Sequence, residues 1–123
     1  MIQLDTGFLI RAMVKGSPEA TSLRHWLRNG EMLGISAPAW AEFLCGPVTL
    51  TVVAIAGELL GAPAPFTATE AEITARLYND AGRRRGSLLD CMIAATAINA
   101  GHRLAITNLA DFTRFTKFGL ALQ

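Results

Sequence analysis

Cysteine and histidine are scarce in this sequence. It contains two cysteines, Cys45 and Cys91, and two histidines, His25 and His102. None of the four has the spacing of a zinc site or of a redox-active cysteine pair. We therefore expect both cysteines to be unpaired core residues, as is usual in a reducing compartment, and we assign the histidines no functional role.

A membrane-spanning run and a strong net charge are also missing. The longest apolar run, residues 48–57, is far shorter than the ~20 residues that cross a bilayer, and residues 1–4 lead into an acid without a basic leader. We expect a cytoplasmic protein with no membrane contact. The net charge of +1 leaves any nucleic-acid contact to a local basic patch.

Hydrophobic residues make up 51% of the 123 residues and charged residues 17%, a composition that excludes disorder. We expect one domain over residues 1–123, because the chain is about the size of a single hydrophobic core. No repeat or linker divides it.

Short apolar strands alternate with helices along the chain. Strands are predicted at residues 2–4, 32–36, 103–107 and 119–122, and helices at residues 8–14, 18–29, 38–44, 69–81 and 87–100, with a turn or short helix at residues 108–114. In residues 48–60 the β-branched residues favour a strand, whereas the length and the preceding proline favour a helix, which we prefer. The alternation predicts an α/β fold with a mostly parallel sheet of four or five strands and helices on both faces.

The predicted helix at residues 87–100 is apolar on nearly all sides, as expected of a helix buried inside a domain. Its only ionisable residue is Asp90. A buried carboxylate is costly unless it is paired. The partner could be a local cap, since Ser87 stands three residues before Asp90, or a basic side chain, or a metal ion.

Four acidic residues follow predicted strands or begin the buried helix: Asp5, Glu42, Asp90 and Asp111. The carboxyl ends of parallel strands meet in one crevice, so we expect these acids to lie together. Each also has a local explanation: Asn108 could cap the turn that holds Asp111, and Glu42 could face solvent. Several carboxylates in one crevice require a cation, and Mg²⁺ or Mn²⁺ suits oxygen ligands. Such a site suits phosphodiester hydrolysis.

Three consecutive arginines, Arg83, Arg84 and Arg85, lie just before the buried helix. Such a run is usually a solvated loop, but here it would adjoin the acidic crevice and could hold an RNA backbone that the carboxylates alone would repel. Lys15 and Arg11 are weaker candidates for the same role.

At these residues the chain resembles the PIN domain family, and specifically VapC-type toxins of toxin–antitoxin pairs. The resemblance spans nearly the whole chain. Its motifs are Leu4-Asp5-Thr6, Ala41-Glu42-Phe43-Leu44, the string from Asp90 to Ala97 (DCMIAATA), and Asn108-Leu109-Ala110-Asp111-Phe112.

The resemblance implies a metal-dependent endoribonuclease that uses Mg²⁺ or Mn²⁺. It also implies a homodimer and a small VapB-like antitoxin that covers the active site and contacts operator DNA. By position, Asp5, Glu42 and Asp90 match the family's constant acids, and Thr6 matches a hydroxyl that would orient a ligand or water. The fourth position falls to either Asn108 or Asp111.

Two departures from the family pattern concern Gly7 and Thr107. Gly7 stands where Asn or Ser is commoner, which removes a side chain that could cap the first helix. In Ile106-Thr107-Asn108 the hydroxyl lies one residue away from the usual Thr-x-Asp or Thr-x-Asn pattern.

Other protein classes fit less well. Asp5-Thr6-Gly7 is also a signature of retroviral-type aspartic proteases, but those are all-β. A haloacid-dehalogenase phosphatase needs an acid where Gly7 stands, and a response-regulator receiver needs a paired acid and a late lysine that this chain does not place. The main alternative to a nuclease is an inactive PIN-like domain that binds RNA or a protein.

Overall fold

The computed structural model describes all 123 residues. Four short strands form its sheet: β1 (Ile2–Leu4), β2 (Leu33–Ile35), β3 (Arg103–Ala105) and β4 (Ala121–Leu122). Their order is β2-β1-β3-β4, and every pairing is parallel. The predicted α/β fold with a parallel sheet is therefore confirmed, with four strands.

Seven α-helices connect and cover the strands: α1 (Thr6–Ala12), α2 (Pro18–Arg28), α3 (Ala37–Cys45), α4 (Leu50–Leu60), α5 (Ala68–Asp80), α6 (Leu88–Ala100) and α7 (Leu109–Phe112). A 3₁₀ helix at Thr113–Phe118 follows α7. The ambiguous run 48–60 is helical, and the Thr49 hydroxyl caps it by accepting the Val52 N–H at 3.2 Å. None of the helices has the length and apolar character needed to cross a membrane.

The start of α5 differs from the sequence prediction. The capping residue is Thr67, not Thr69, and its backbone N–H donates to Glu70 Oε1 at 2.9 Å. Both threonines stand three residues before a glutamate, so the local spacing does not choose between them. The other oxygen of Glu70 accepts a hydrogen bond from Asn99 on α6 at 2.6 Å, which favours the earlier cap.

Helix α6 runs through the centre of the molecule, packed against α5 and in contact with α3 and β3. Ile93, Ala94, Ala95 and Ala97 are each at most 1% exposed and belong to the main hydrophobic core. Alanines on this helix allow close approach of its neighbours. The helix therefore fixes Asp90, in its first turn, against the core.

The sheet brings the candidate site residues to one edge. Leu4, the last residue of β1, pairs with Ile35 on one side and with Ala105 on the other. The chain segments that follow these three positions therefore begin at the same edge. They carry Asp5, α3 and the turn to α7, respectively.

Candidate active site

Asp5 is the most deeply buried acid at this edge, with 7% of its surface exposed. Its backbone N–H donates to the Ala105 carbonyl at 3.0 Å, and its Oδ1 caps α1 by accepting the Phe8 N–H at 2.6 Å. Burial raises the pKa of Asp5 to about 6; the Phe8 hydrogen bond opposes this shift, and the charges of Asp90, Glu42 and Asp111 add to it. Folding thus holds this carboxylate among like charges.

Asp90 is half-buried in the first turn of α6 and has no local cap. The Ser87 hydroxyl, a candidate partner, instead donates to the Arg84 carbonyl at 2.6 Å. Burial raises the pKa of Asp90, and the charges of Asp111 and Glu42 raise it further, whereas Arg114 and Arg84 act in the opposite direction. A capping box therefore does not account for this acid.

Asp111 lies on the short helix α7, close enough to Asp5 and Asp90 to raise the pKa of each. Asn108 is the residue before α7 and is exposed; its side chain makes no capping bond. Glu42 is also exposed, on α3, although its charge reaches both Asp5 and Asp90. The structure thus brings Asp111 and Glu42 within electrostatic reach of both Asp5 and Asp90, and it leaves Asn108 at the surface.

Thr6 and Gly7 shape the first turn of α1. The Thr6 hydroxyl donates to the Ala39 carbonyl at 3.2 Å, which ties α1 to α3. A Cβ on Gly7 would lie only 2.7 Å from the Thr107 Oγ1. The absence of a side chain at position 7 therefore makes room for Thr107, and it removes no cap because Asp5 itself caps α1.

A polar cavity of about 210 Å³ opens beside Asp90 and Asp111. Its lining contains no hydrophobic residue and consists of Arg84, Arg85, Gly86, Ser87, Asp90, Asp111 and Arg114. Arg114 was not predicted from the sequence. Its only sequence signal is its position three residues after Asp111, about one helical turn.

Two of the predicted basic residues lie outside this cavity. Arg83 donates to Asn79 Oδ1 at 2.9 Å and lies over the Tyr78 ring, 5.8 Å from its centroid. Lys15 is exposed in the turn between α1 and α2. Of the arginine run, Arg84 and Arg85 are the residues that face the acids across the cavity.

The donor set fits a divalent cation in type, because carboxylate oxygens that repel one another are what such an ion neutralises. As they stand, no three acidic, histidine or cysteine side chains lie close enough to enclose a metal ion. Mg²⁺ usually keeps several waters and binds only one or two carboxylates, so the open arrangement is compatible with it.

Comparison with known proteins places this fold in a family. The family model of the PIN domain matches residues 2–117. The chain belongs to the PIN domain family. No curated protein sequence matches it significantly.

Several solved structures share the fold of this PIN domain at low sequence identity. VapBC2 from Rickettsia felis, bound to a DNA fragment of its promoter, has a TM-score of 0.79 and 21% identity, with 100% of this chain and 98% of that chain covered. VapBC-1 from nontypeable Haemophilus influenzae has a TM-score of 0.75 and 22% identity, with 100% of this chain and 97% of that chain covered. FitAcB from Neisseria gonorrhoeae has a TM-score of 0.70 and 22% identity, with 99% of this chain and 96% of that chain covered.

Proposed function

We propose that this protein is a metal-dependent endoribonuclease that hydrolyses RNA phosphodiester bonds and acts as the toxin of a VapBC-type pair. The observation that carries the proposal is the convergence of four acids near the carboxyl edge of a PIN-domain sheet, where the charges of Glu42, Asp90 and Asp111 act on Asp5. Burial and mutual repulsion raise the pKa of Asp5 and Asp90. A fold gains no stability from such an arrangement, so we attribute it to function.

Asp5, Glu42, Asp90 and Asp111 would hold Mg²⁺ or Mn²⁺. When bound, the ion supplies Lewis acidity for the attack of water on a phosphodiester. We assign the fourth position to Asp111, because its charge acts on Asp5 and Asp90, and not to the exposed Asn108. The Phe8 N–H fixes the orientation of Asp5. The Thr6 hydroxyl, bonded to the Ala39 carbonyl, would position α1 beside α3, and any contact with a ligand or water would be additional.

RNA is the substrate class that we assign to this site. Arg84 and Arg85 line the cavity together with Asp90 and Asp111, so a phosphate could meet positive charge there. Arg83 and Lys15 would act at most on flanking phosphates, because neither lines the cavity. Their exposure is compatible with that contact.

A small protein partner would cover this site in the inactive state. The solved VapBC and FitAB structures include complexes bound to DNA fragments. We propose a VapB-like antitoxin, operator contact through that antitoxin, a homodimer of this chain and a cytoplasmic location. Leu88 and Leu109 are 54% and 62% exposed on the helices that carry Asp90 and Asp111. Apolar side chains at these positions would suit a protein cover.

An inactive PIN-like domain that binds RNA or a protein is the second candidate. It is favoured by the finding that no three of the acids, as they stand, lie close enough to enclose a metal ion. It does not explain why Asp5 is kept buried among like charges, which a binding surface does not require.

RNA cleavage in Mn²⁺ distinguishes the two candidates. Asp5→Asn and Asp90→Asn should each lower the cleavage rate at least about a hundredfold. Replacing a residue that only hydrogen-bonds to a metal ligand already lowers activity about ten- to a hundredfold. Asn is chosen at position 5 because it caps a helix as well as Asp does. Asp80→Asn, at the exposed end of α5, is the matched control and should cleave normally.

Cleavage by the wild-type protein that survives in Asp90→Asn would refute the nuclease assignment, because a contaminating nuclease would explain it. RNA binding without any metal-dependent cleavage in the wild type would support the inactive domain. Coexpression with the product of a short upstream reading frame should suppress toxicity, and toxicity that is unchanged would contradict the antitoxin proposal.

A further inference from the structure

Arg114 occupies a position that the acids alone do not explain. It lies in the 3₁₀ helix that follows α7 and lines the polar cavity together with Asp90 and Asp111. Its guanidinium carbon lies over the ring of Phe115, 4.5 Å from the ring centroid, and Phe115 is fully buried. This cation–π contact with a fixed ring helps to hold the guanidinium group beside the cavity.

The two terminal nitrogens of Arg114, Nη1 and Nη2, are buried and have no hydrogen-bond partner in the protein. Arg114 also forms no ion pair, although its charge lowers the pKa of Asp90 and acts on the thiol of Cys91. Buried guanidinium donors without acceptors are costly, because each has lost its water without a replacement. The chain offers these donors no oxygen acceptor, only the sulfur of Cys91, which is a weak one.

Other arginines in the molecule show the contrast. Arg103 pairs with Glu31 at 2.9 Å, Arg11 with Glu19 at 3.8 Å, and Arg83 donates to Asn79. Arg103 and Arg83 thus donate to acceptors of the chain, and Arg11 has a carboxylate in ion-pair contact. Arg114 is placed at an acidic site, with both ends of its fork unpaired and its plane supported by an aromatic ring.

We propose that Arg114 binds the phosphate group of the RNA at the cleavage position: its side chain turns into the cavity that it lines, and Nη1 and Nη2 donate to the non-bridging oxygens. The inference rests on the proposed nuclease function and adds a substrate-binding residue to it. A planar guanidinium group matches two phosphate oxygens, a geometry that a lysine ammonium does not provide. Together with Arg84 and Arg85, Arg114 gives the cavity the positive charge that a phosphodiester needs beside carboxylates.

The test measures RNA binding without cleavage. A short fluorescent single-stranded RNA of mixed sequence is titrated in Ca²⁺, and fluorescence anisotropy gives the affinity across a series of salt concentrations. Arg114→Gln should weaken binding about ten- to a hundredfold, as expected for loss of charged hydrogen bonds. It should also flatten the salt dependence by ~0.7 in the log–log slope, the value for one phosphate contact on a single strand.

Arg114→Lys keeps the positive charge but loses the planar pair of donors. This variant should keep the salt slope and bind RNA more weakly than the wild type. Arg28→Gln is the matched control. Arg28 is exposed at the end of α2, which leads to the amino end of β2, whereas the acids lie near the carboxyl ends of the strands. It should change neither value. Thermal unfolding shows whether each variant is folded, and if Arg114→Gln is not, Arg114→Lys carries the test.

A wild-type affinity and salt slope in Arg114→Gln would overturn the inference even if the wild type cleaves RNA normally. If the wild type binds RNA but never cleaves it in Mn²⁺, the proposed function fails while a weakened Arg114→Gln still supports the phosphate contact. The absence of RNA binding by the wild type would overturn both.

Discussion

Glu70 and Asp5 are both buried carboxylates, with 4% and 7% of their surfaces exposed, but their surroundings are opposite. Glu70 Oε1 accepts from the Thr67 N–H and hydroxyl at 2.9 and 2.8 Å, and its Oε2 accepts from Asn99 at 2.6 Å. These bonds, the Thr67 N–H first, lower the pKa of Glu70. Asp5 accepts one hydrogen bond and faces other acids, and its pKa is raised.

This difference separates a structural acid from a functional one. Every oxygen of Glu70 has a donor from the chain itself, so the side chain joins α5 to α6 and needs no ion. Asp5 has a donor from the chain at one oxygen only, Asp90 has none, and the two carboxylates repel each other. A cation, free or bound to the substrate, would supply the positive charge that these two repelling carboxylates need.

The largest expected effect comes from replacing an acid by its amide in each region. Asp90→Asn should lower RNA cleavage at least about a hundredfold and leave the melting temperature equal or higher, because a repelling charge is removed. Glu70→Gln should cleave at close to the wild-type rate but melt at a lower temperature, because it loses charged acceptors. Cleavage and thermal unfolding of both variants test this reversal, and a stable but inactive Glu70→Gln protein would break the comparison.

Next in size is the pH dependence at Asp5. Its pKa rises from 3.8 to about 6 on folding, so the folded state binds more protons and stability falls as the pH rises through this range. At pH above 6, Asp5→Asn should be more stable than the wild type by as much as ~3 kcal/mol, since each pKa unit corresponds to ~1.4 kcal/mol. Urea unfolding in EDTA should show this gain disappearing below the unfolded-state pKa of 3.8.

Glu70 should show the opposite sign. Because folding lowers its pKa from 4.5, its contribution to stability is complete above that value and is lost as the pH falls through the folded-state pKa. The difference in melting temperature between wild type and Glu70→Gln should therefore shrink on acidification. A difference that grows on acidification would contradict the hydrogen-bond account.

The smallest effect concerns the approach of Gly7 to Thr107. Alanine is favoured over glycine in a helix by about 1 kcal/mol, but a Cβ at position 7 would lie 2.7 Å from the Thr107 Oγ1. Gly7→Ala should therefore stabilise the protein more in a Thr107→Ala background than in the wild type. Urea unfolding of the two single variants and the double variant measures the coupling, and strictly additive effects would show that the two residues do not collide.

The sequence was sufficient to predict the fold because strands and helices alternate and the strands are short and apolar. It also identified the four acids that the sheet gathers at one edge. The cap of α5 could not be predicted, because Thr67 and Thr69 have equivalent spacing and the choice depends on Asn99 from another helix. Arg114 was missed for a similar reason, since its position depends on the burial of Phe115 and on a cavity formed by distant segments.

The roles of the predicted site residues stay predictions, but the structure removes the local explanations that the sequence left open for two of the acids. Neither Ser87 nor Asn108 provides the side-chain cap that would explain Asp90 or Asp111 locally. Only two members of the arginine run line the cavity, because Arg83 is engaged by Asn79 and Tyr78. These outcomes depend on hydroxyl, amide and guanidinium orientations, which residue spacing does not determine.

The most direct test of the central claim is Mn²⁺ binding followed by electron paramagnetic resonance of the free ion. The wild-type protein and Glu70→Gln should bind Mn²⁺ with the same saturable affinity, whereas Asp5→Asn and Asp90→Asn should bind it much more weakly. Equal Mn²⁺ binding by all four proteins, or none by the folded wild type, would contradict the account.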